Sequence, residues 1–279
     1  MRRELRARRW RVRPRHRLDK AAGDARTGLI RGLGAPAGQL LTGTSGFAYP
    51  AWTPRFYPPG LADAGRLAYY ASRLGTLELN NTFYQRPTAD RIAAWAAAVP
   101  AEFRFVVKAQ RGASIRALGI DAEQSVTWLT ERLEGFGDRL GGVLYRVPEN
   151  VQRRADGTSD EALGRLFGAW PRTLPLVMEF QHPSWHVDET FTALRDAGAV
   201  LCTTELPEDT TPPDIRVTGT GLYLRLRRND YGPAEIDAWA ERLRPFLEAG
   251  HPAFAFFRHD ETGRATELAA ELTAAASRS

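Results

Sequence analysis

From residue 40 onward, short apolar runs alternate with longer amphipathic segments of helical period, a rhythm that predicts parallel strands joined by helical crossovers. The runs predict eight strands, at 40–44, 76–80, 104–109, 142–147, 174–180, 199–204, 221–226 and 252–257. Helical patterns cover 63–74, 88–99, 122–135, 159–170, 188–197, 233–249 and 262–275. The connection after the sixth strand, LPEDTTPPDIRVTG, is too rich in Pro and Thr to form a helix. The predicted fold class is therefore α/β: a single (β/α)8 TIM-type barrel with an irregular sixth connection, occupying residues 39–279. Residues 1–38 read as a disordered Arg-rich tail ending in the Gly-rich stretch GLGAPAG.

A barrel of this type places its chemistry where strands end and the following loops begin. The second strand ends in ELNNTFYQRP, the third in VVKAQR, the fifth in EFQHPSWH, the seventh in RLRRNDYG and the eighth in FFRHDETG. Side chains alternate along a strand, so Glu78 and Asn80 share a face, as do Glu179 and Gln181, and Arg225 and Arg227. With Lys108 these residues bring two carboxylates and three cations to the mouth, a local balance of +1 that favours an anionic ligand. Arg225 and Arg227 are the candidate fork for a phosphate or carboxylate. Lys108, Glu179 and Glu78 are the candidate catalytic groups, and Asn80 would orient the substrate. Lys108 stands out because only it and Lys20 are Lys among 38 basic residues. Beside an Arg it would have a depressed pKa and act as a base or form a Schiff base; paired with Glu78 it would only hold the site together. The competing reading of the whole cluster is a plug of salt bridges inside the barrel.

Tyr49, Tyr84, Gln181 and His182 are further candidate substrate contacts, while Trp52 and Trp185 read as loop anchors. His182 equally suits orienting Glu179 or capping its loop. An alternative constellation, Glu179, His182, His259 and Asp260, has the ligand chemistry for a divalent cation, although its spacing does not enforce one. No other cofactor is expected.

Composition changes the picture in three places. Hydrophobic residues make up 43% and charged residues 25%, an ordinary globular balance that excludes a collagen-like or wholly disordered chain. Cys202, the lone cysteine, cannot form an internal disulfide and reads as inert core; with no apolar run long enough to span a bilayer, a cytoplasmic location away from membranes is expected. The net charge of +5 is unevenly spread. Residues 1–38 hold twelve basic and three acidic residues, leaving 26 basic against 30 acidic, or −4, for the rest. Nucleic-acid binding would thus have to come from the tail, which equally fits a solvated extension.

The segments GTSGFAYPAW, ELNNTFY, FRFVVKAQR, EFQHPSW and YLRLRRNDYG resemble, in order and spacing, the signature segments of the YecE-like family, domain of unknown function seventy-two. The resemblance spans nearly all of 40–272 and implies a TIM-type barrel whose activity is not established. Against the family pattern, Gln181 stands in place of Arg, Arg146 of Gln and Arg227 of His, and Phe257, Arg258 and His259 replace a Phe-Asn-Asn ending.

The residues favour a metal-independent enzyme, a hydrolase, lyase or isomerase, acting on a small phosphorylated or sugar-like anion at the C-terminal face. The alternatives are a divalent-metal-dependent hydrolase, isomerase or endonuclease-like barrel, and a non-catalytic nucleic-acid module using the tail.

Overall fold

The strands are buried along almost their whole length, as LVMEF at residues 176–180 and AFAFF at 253–257 illustrate, because both faces of the sheet are covered. The computed structural model describes residues 28–278. Its strands are β1 (Leu40–Ser45), β2 (Thr76–Leu79), β3 (Arg104–Lys108), β4 (Leu140–Val147), β5 (Leu176–Phe180), β6 (Val200–Glu205), β7 (Leu222–Leu226) and β8 (Ala253–Phe257). They pair in parallel in sequence order, and β8 closes the barrel on β1. Around it run α1 (Arg66–Ala71), α2 (Ala89–Ala97), α3 (Arg111–Ala117), α4 (Ala122–Thr130), α5 (Thr158–Ala169), α6 (Asp188–Ala197), α7 (Pro233–Glu248) and α8 (Arg264–Ala276). The protein is an α/β barrel of the TIM type, and residues 206–221 join β6 to β7 without a helix, as their Pro content predicts.

Two differences from the expected elements have local causes. The helix expected over 122–135 stops at Thr130 and gives way to 3-10 turns over Leu133–Arg139, a stretch that carries two poor helix formers, Gly135 and Gly137, the latter at a φ of 55°. The short α3 escapes the periodicity because its seven residues, RGASIRA, bury only small side chains; Gln110 Oε1 caps it by accepting from Ala113 N at 2.8 Å.

The apolar core has two layers. Most of it lies between strands and helices, and a smaller cluster, including Leu41, Val106, Leu144, Val177, Cys202 and Phe254, fills the barrel itself. Cys202 belongs to this inner cluster, in keeping with the inert role read from the sequence. Leu33 joins it from below. Residues 28–38, assigned to the disordered tail by their Gly content, instead line the floor: Leu33 N donates to Thr220 O, Gly34 N to Gly141 O and Ile30 N to Ala197 O. The glycines serve close approach rather than flexibility, since a Cβ on Gly34 would lie 2.3 Å from Leu140 O. The boundary drawn at residue 38 therefore falls inside the packed structure. The expectations for residues 1–27, including nucleic-acid binding by the tail, lie outside the described residues. Among the described residues no helix is long and apolar enough to cross a membrane.

Candidate functional site at the mouth of the barrel

Parallel pairing places Arg146 opposite Glu179, and Thr204 opposite Arg225, so their side chains share the inner face of the barrel. Three of the expected residues meet there in one buried cluster. Arg225 Nη1 donates to both oxygens of Glu179, at 2.8 and 2.9 Å, and Nη2 donates to Glu78 Oε1 at 2.8 Å. Glu78 also accepts from Ser45 Oγ at 3.0 Å and from Tyr223 Oη at 2.7 Å. Glu179 accepts from Thr204 Oγ1 at 3.1 Å.

This geometry corrects three expected roles. Arg225, only 2% exposed, spends both terminal nitrogens of its fork on the two carboxylates, so the fork is not free for a ligand. Burial works against its charge, but Glu179 and Glu78 outweigh that and hold it cationic. Glu179 is held as a carboxylate near neutral pH. Burial alone would raise its pKa, yet Arg225, then Arg146 and Lys108, hold it down at about 2. Glu78 is fully buried and occupied on both oxygens, so it too is part of the scaffold. The salt-bridge plug is thus real, and it is the floor on which the remaining cations stand.

Above the plug lie cations without a full complement of partners. Lys108 ends β3 at 8% exposure, with Nζ 4.5 Å from the centroid of the half-buried Phe83 ring. Among the described residues its ammonium makes no hydrogen bond and has no carboxylate within 4 Å. Burial and then Arg225 lower its pKa, Glu78 and Glu179 pull it back, and it settles at about 8. Phe83 is held there by a 3-10 turn after β2, over Asn81–Phe83. Thr82 in that turn donates to Leu79 O at 2.6 Å and to Lys108 O at 2.7 Å, tying the loop to the end of β3.

The Arg227 side chain has no hydrogen bond or ion pair among the described residues, and burial followed by Arg225 lowers its pKa. Arg146 approaches Glu179 with Nε at 3.5 Å, beyond good hydrogen-bond range, and that buried Nε has no hydrogen-bond partner. Asn80 Oδ1 and Arg225 Nε are buried without partners as well. Lys108, Arg146, Arg225 and Arg227 against Glu78 and Glu179 leave a balance of +2 with Lys108 protonated, one more than the sequence alone placed there. Arg146 is the residue that reasoning from the sequence left out of the site, although strand alternation puts it two positions beyond the inward Leu144.

Outside this tier the expected residues scatter. Gln181 stands between two open grooves, one of about 580 Å³ whose walls include Phe83, Arg146 and His182, and one of about 470 Å³ that reaches Glu179 and Thr204. His182 Nδ1 accepts from Ser184 N at 3.1 Å and so caps the turn over Pro183–Trp185. Tyr49 stacks on His259 at 4.8 Å and donates to Ser45 O. Tyr84, 81% exposed, is turned to solvent and lines neither groove. Trp52 and Trp185 are buried anchors, donating to Asp260 O and Val151 O.

The alternative metal set does not assemble. Glu179 belongs to Arg225, His182 caps its turn and His259 stacks on Tyr49. Asp260 accepts from the amides of Thr262, Arg264 and Ala265 at the start of α8. Among the described residues no three His, Cys, Asp or Glu side chains converge in a way that could hold a metal ion.

Comparison with known proteins agrees with the fold. The chain is similar to two solved DUF72 family proteins, each with a TM-score of 0.72. One is from Thermotoga maritima MSB8, at 24% identity over 85% of this chain and 98% of that one. The other is from Enterococcus faecalis V583, at 20% identity over 86% and 96%. Among curated proteins none matches. The family model described as "Protein of unknown function DUF72" matches residues 41–279, the whole barrel from β1 to the C-terminus, and the chain belongs to that family.

Proposed function

We propose that the mouth of the barrel binds a small anionic substrate, phosphorylated or carboxylated, and that the protein is an enzyme whose chemical work falls to Lys108. The observation that carries this reading is the mutually paired Glu78–Arg225–Glu179 floor beneath cations that lack full partners, Lys108, Arg146 and Arg227. Arg146 and Arg227 are half-buried and only partly compensated by carboxylates, and an anion seated against them would supply the missing counter-charge. Arg227 and Arg146 present planar donors suited to the two oxygens of a phosphate or carboxylate. Asn80, with a buried acceptor lacking a partner, is placed to take a substrate hydroxyl or amide hydrogen. No metal enters this scheme, because the candidate ligands are committed to other partners.

A ligand that binds only the native state raises the melting temperature by linkage, which makes weak anions visible at high concentration. The test is a thermal-shift screen of the full chain against inorganic phosphate, sugar phosphates, nucleotides, organic acids and divalent metals, repeated on Arg227→Gln and Lys108→Met. The expected outcome is stabilisation by one class of anion that is reduced in Arg227→Gln. Stabilisation by a divalent metal alone, or an anion effect that both variants retain in full, overturns the reading.

A further inference from the structure

The mouth asks for one amine in a chain otherwise built with guanidinium. The sequence holds 38 basic residues, of which only Lys20 and Lys108 are Lys. Wherever a fixed cation serves in the plug and around it, at positions 146, 225 and 227, the residue is Arg. Arg cannot become a nucleophile, whereas a desolvated Lys beside another cation can. Lys108 has the setting for it: nearly buried, resting on the Phe83 ring and free of any carboxylate within 4 Å among the described residues. The carboxylates that would lock it as an ammonium are both held by Arg225. Phe83, on which it rests, also forms part of the wall of the groove that Arg146 lines, and Arg146 is near enough to act on the charge of the amine.

We infer that Lys108 is a covalent nucleophile that forms an imine with the carbonyl carbon of a small anionic aldehyde or ketone, whose phosphate or carboxylate is held by Arg227 and Arg146. The inference rests on the anion-site reading above and names its substrate class. The neutral amine attacks the carbonyl carbon, forming the C–N bond while the π pair moves to oxygen. One Nζ proton passes to that oxygen, giving a carbinolamine. A solvent proton then converts the hydroxyl to water, which leaves as the nitrogen lone pair forms C=N, so a protonated imine and one water result. No oxidant or reductant is needed. The lowered pKa of Lys108 leaves an appreciable neutral fraction near neutral pH, which the first step requires.

With only two lysines in the sequence, peptide mass spectrometry separates an adduct on Lys108 from one on Lys20 or on the α-amino group. The full chain is incubated with cyanoborohydride and dihydroxyacetone phosphate, pyruvate or neutral dihydroxyacetone, and labelled lysines are located by peptide mass spectrometry. Lys108 is expected to carry the reduced adduct of at least one anionic ketone, ahead of Lys20, and to label on the order of tenfold less with the neutral ketone. Whichever of the phosphate and carboxylate arms labels faster identifies the anion. Arg227→Gln is expected to slow anionic labelling of Lys108 towards the rate seen with the neutral ketone. Labelling of Lys20 with Lys108 untouched, while inorganic phosphate still raises the melting temperature, overturns the imine and leaves the anion site standing. Equal labelling of Lys108 by anionic and neutral ketones overturns guidance by the arginines. Absence of both labelling and thermal shift overturns the two readings together.

Discussion

Glu179→Gln removes one charge from a cluster in which every member is buried, and Arg225 then keeps only Glu78 as its counter-charge. Breaking a buried pair from one side costs about 3–5 kcal/mol, so urea unfolding at pH 7 is expected to show a loss of that order. The Glu179 pKa lies at about 2 in the native state against 4.5 as the reference, so its stabilisation is complete above pH 4.5 and is lost as pH falls towards 2. The gap between wild type and Glu179→Gln should therefore narrow over that window; a gap constant from pH 7 to pH 2 would contradict the assignment. Lys108 behaves in the opposite sense. Its native pKa of about 8 lies below the reference 10.5, so between those values the unfolded chain binds more protons and stability rises with pH. Relative to Lys108→Met, the wild type is expected to gain roughly 3 kcal/mol in unfolding free energy between pH 7 and pH 10.5. The pairs that alternate along β2, β5 and β7 were legible from the sequence. Which carboxylate would take which cation was not, because that choice depends on distances across the barrel.

At the scale of elements, Asp260 shows how one sequence signal admits two meanings. Following β8 and close to His259, it reads as a metal ligand, yet it accepts three backbone N–H groups around the first turn of α8 that would otherwise lack partners. Asp260→Ala is expected to cost about 1–2 kcal/mol in thermal or urea unfolding, the range of a lost helix cap. A variant as stable as wild type would refute the capping role. The strands were legible because each is a short apolar run bounded by polar residues, and the irregular connection because Pro excludes a helix. The short α3 was not legible: its burial rests on Ala113, Ser114 and Ala117, which make no amphipathic contrast. The 3-10 turn that sets Phe83 over Lys108 likewise has no periodic signature.

For the whole molecule, the barrel needs a floor as well as a wall. Ile30 and Leu33 are buried at the end opposite the charged mouth, and residues 30–34 hydrogen-bond to segments 172, 197, 220 and 141. A chain that starts at residue 39 is expected to be less stable than one that starts at residue 28 by about 4 kcal/mol, from two apolar side chains at about 2 kcal/mol each. In a domain of this size that amounts to on the order of 10 °C in melting temperature. Equal melting temperatures for the two chains would restore the boundary at residue 38. The same layout explains why the mouth carries the charge: below it Leu33, Leu41 and Phe254 fill the interior with apolar volume, so polar side chains are admitted only towards the C-terminal ends of the strands.

The sequence by itself determined the barrel, its closure from eight strand–loop repeats and the face on which charged residues collect, because hydrophobic period and strand alternation are local properties that tertiary contacts here reinforce. Only the tertiary structure decided that Arg225 is spent on Glu78 and Glu179, that Arg146 joins the mouth, that residues 28–38 seal the floor and that Lys108 is left with an aromatic ring in place of a carboxylate. These are outcomes of register and of distances between strands far apart in the chain, and neither is encoded in any one segment.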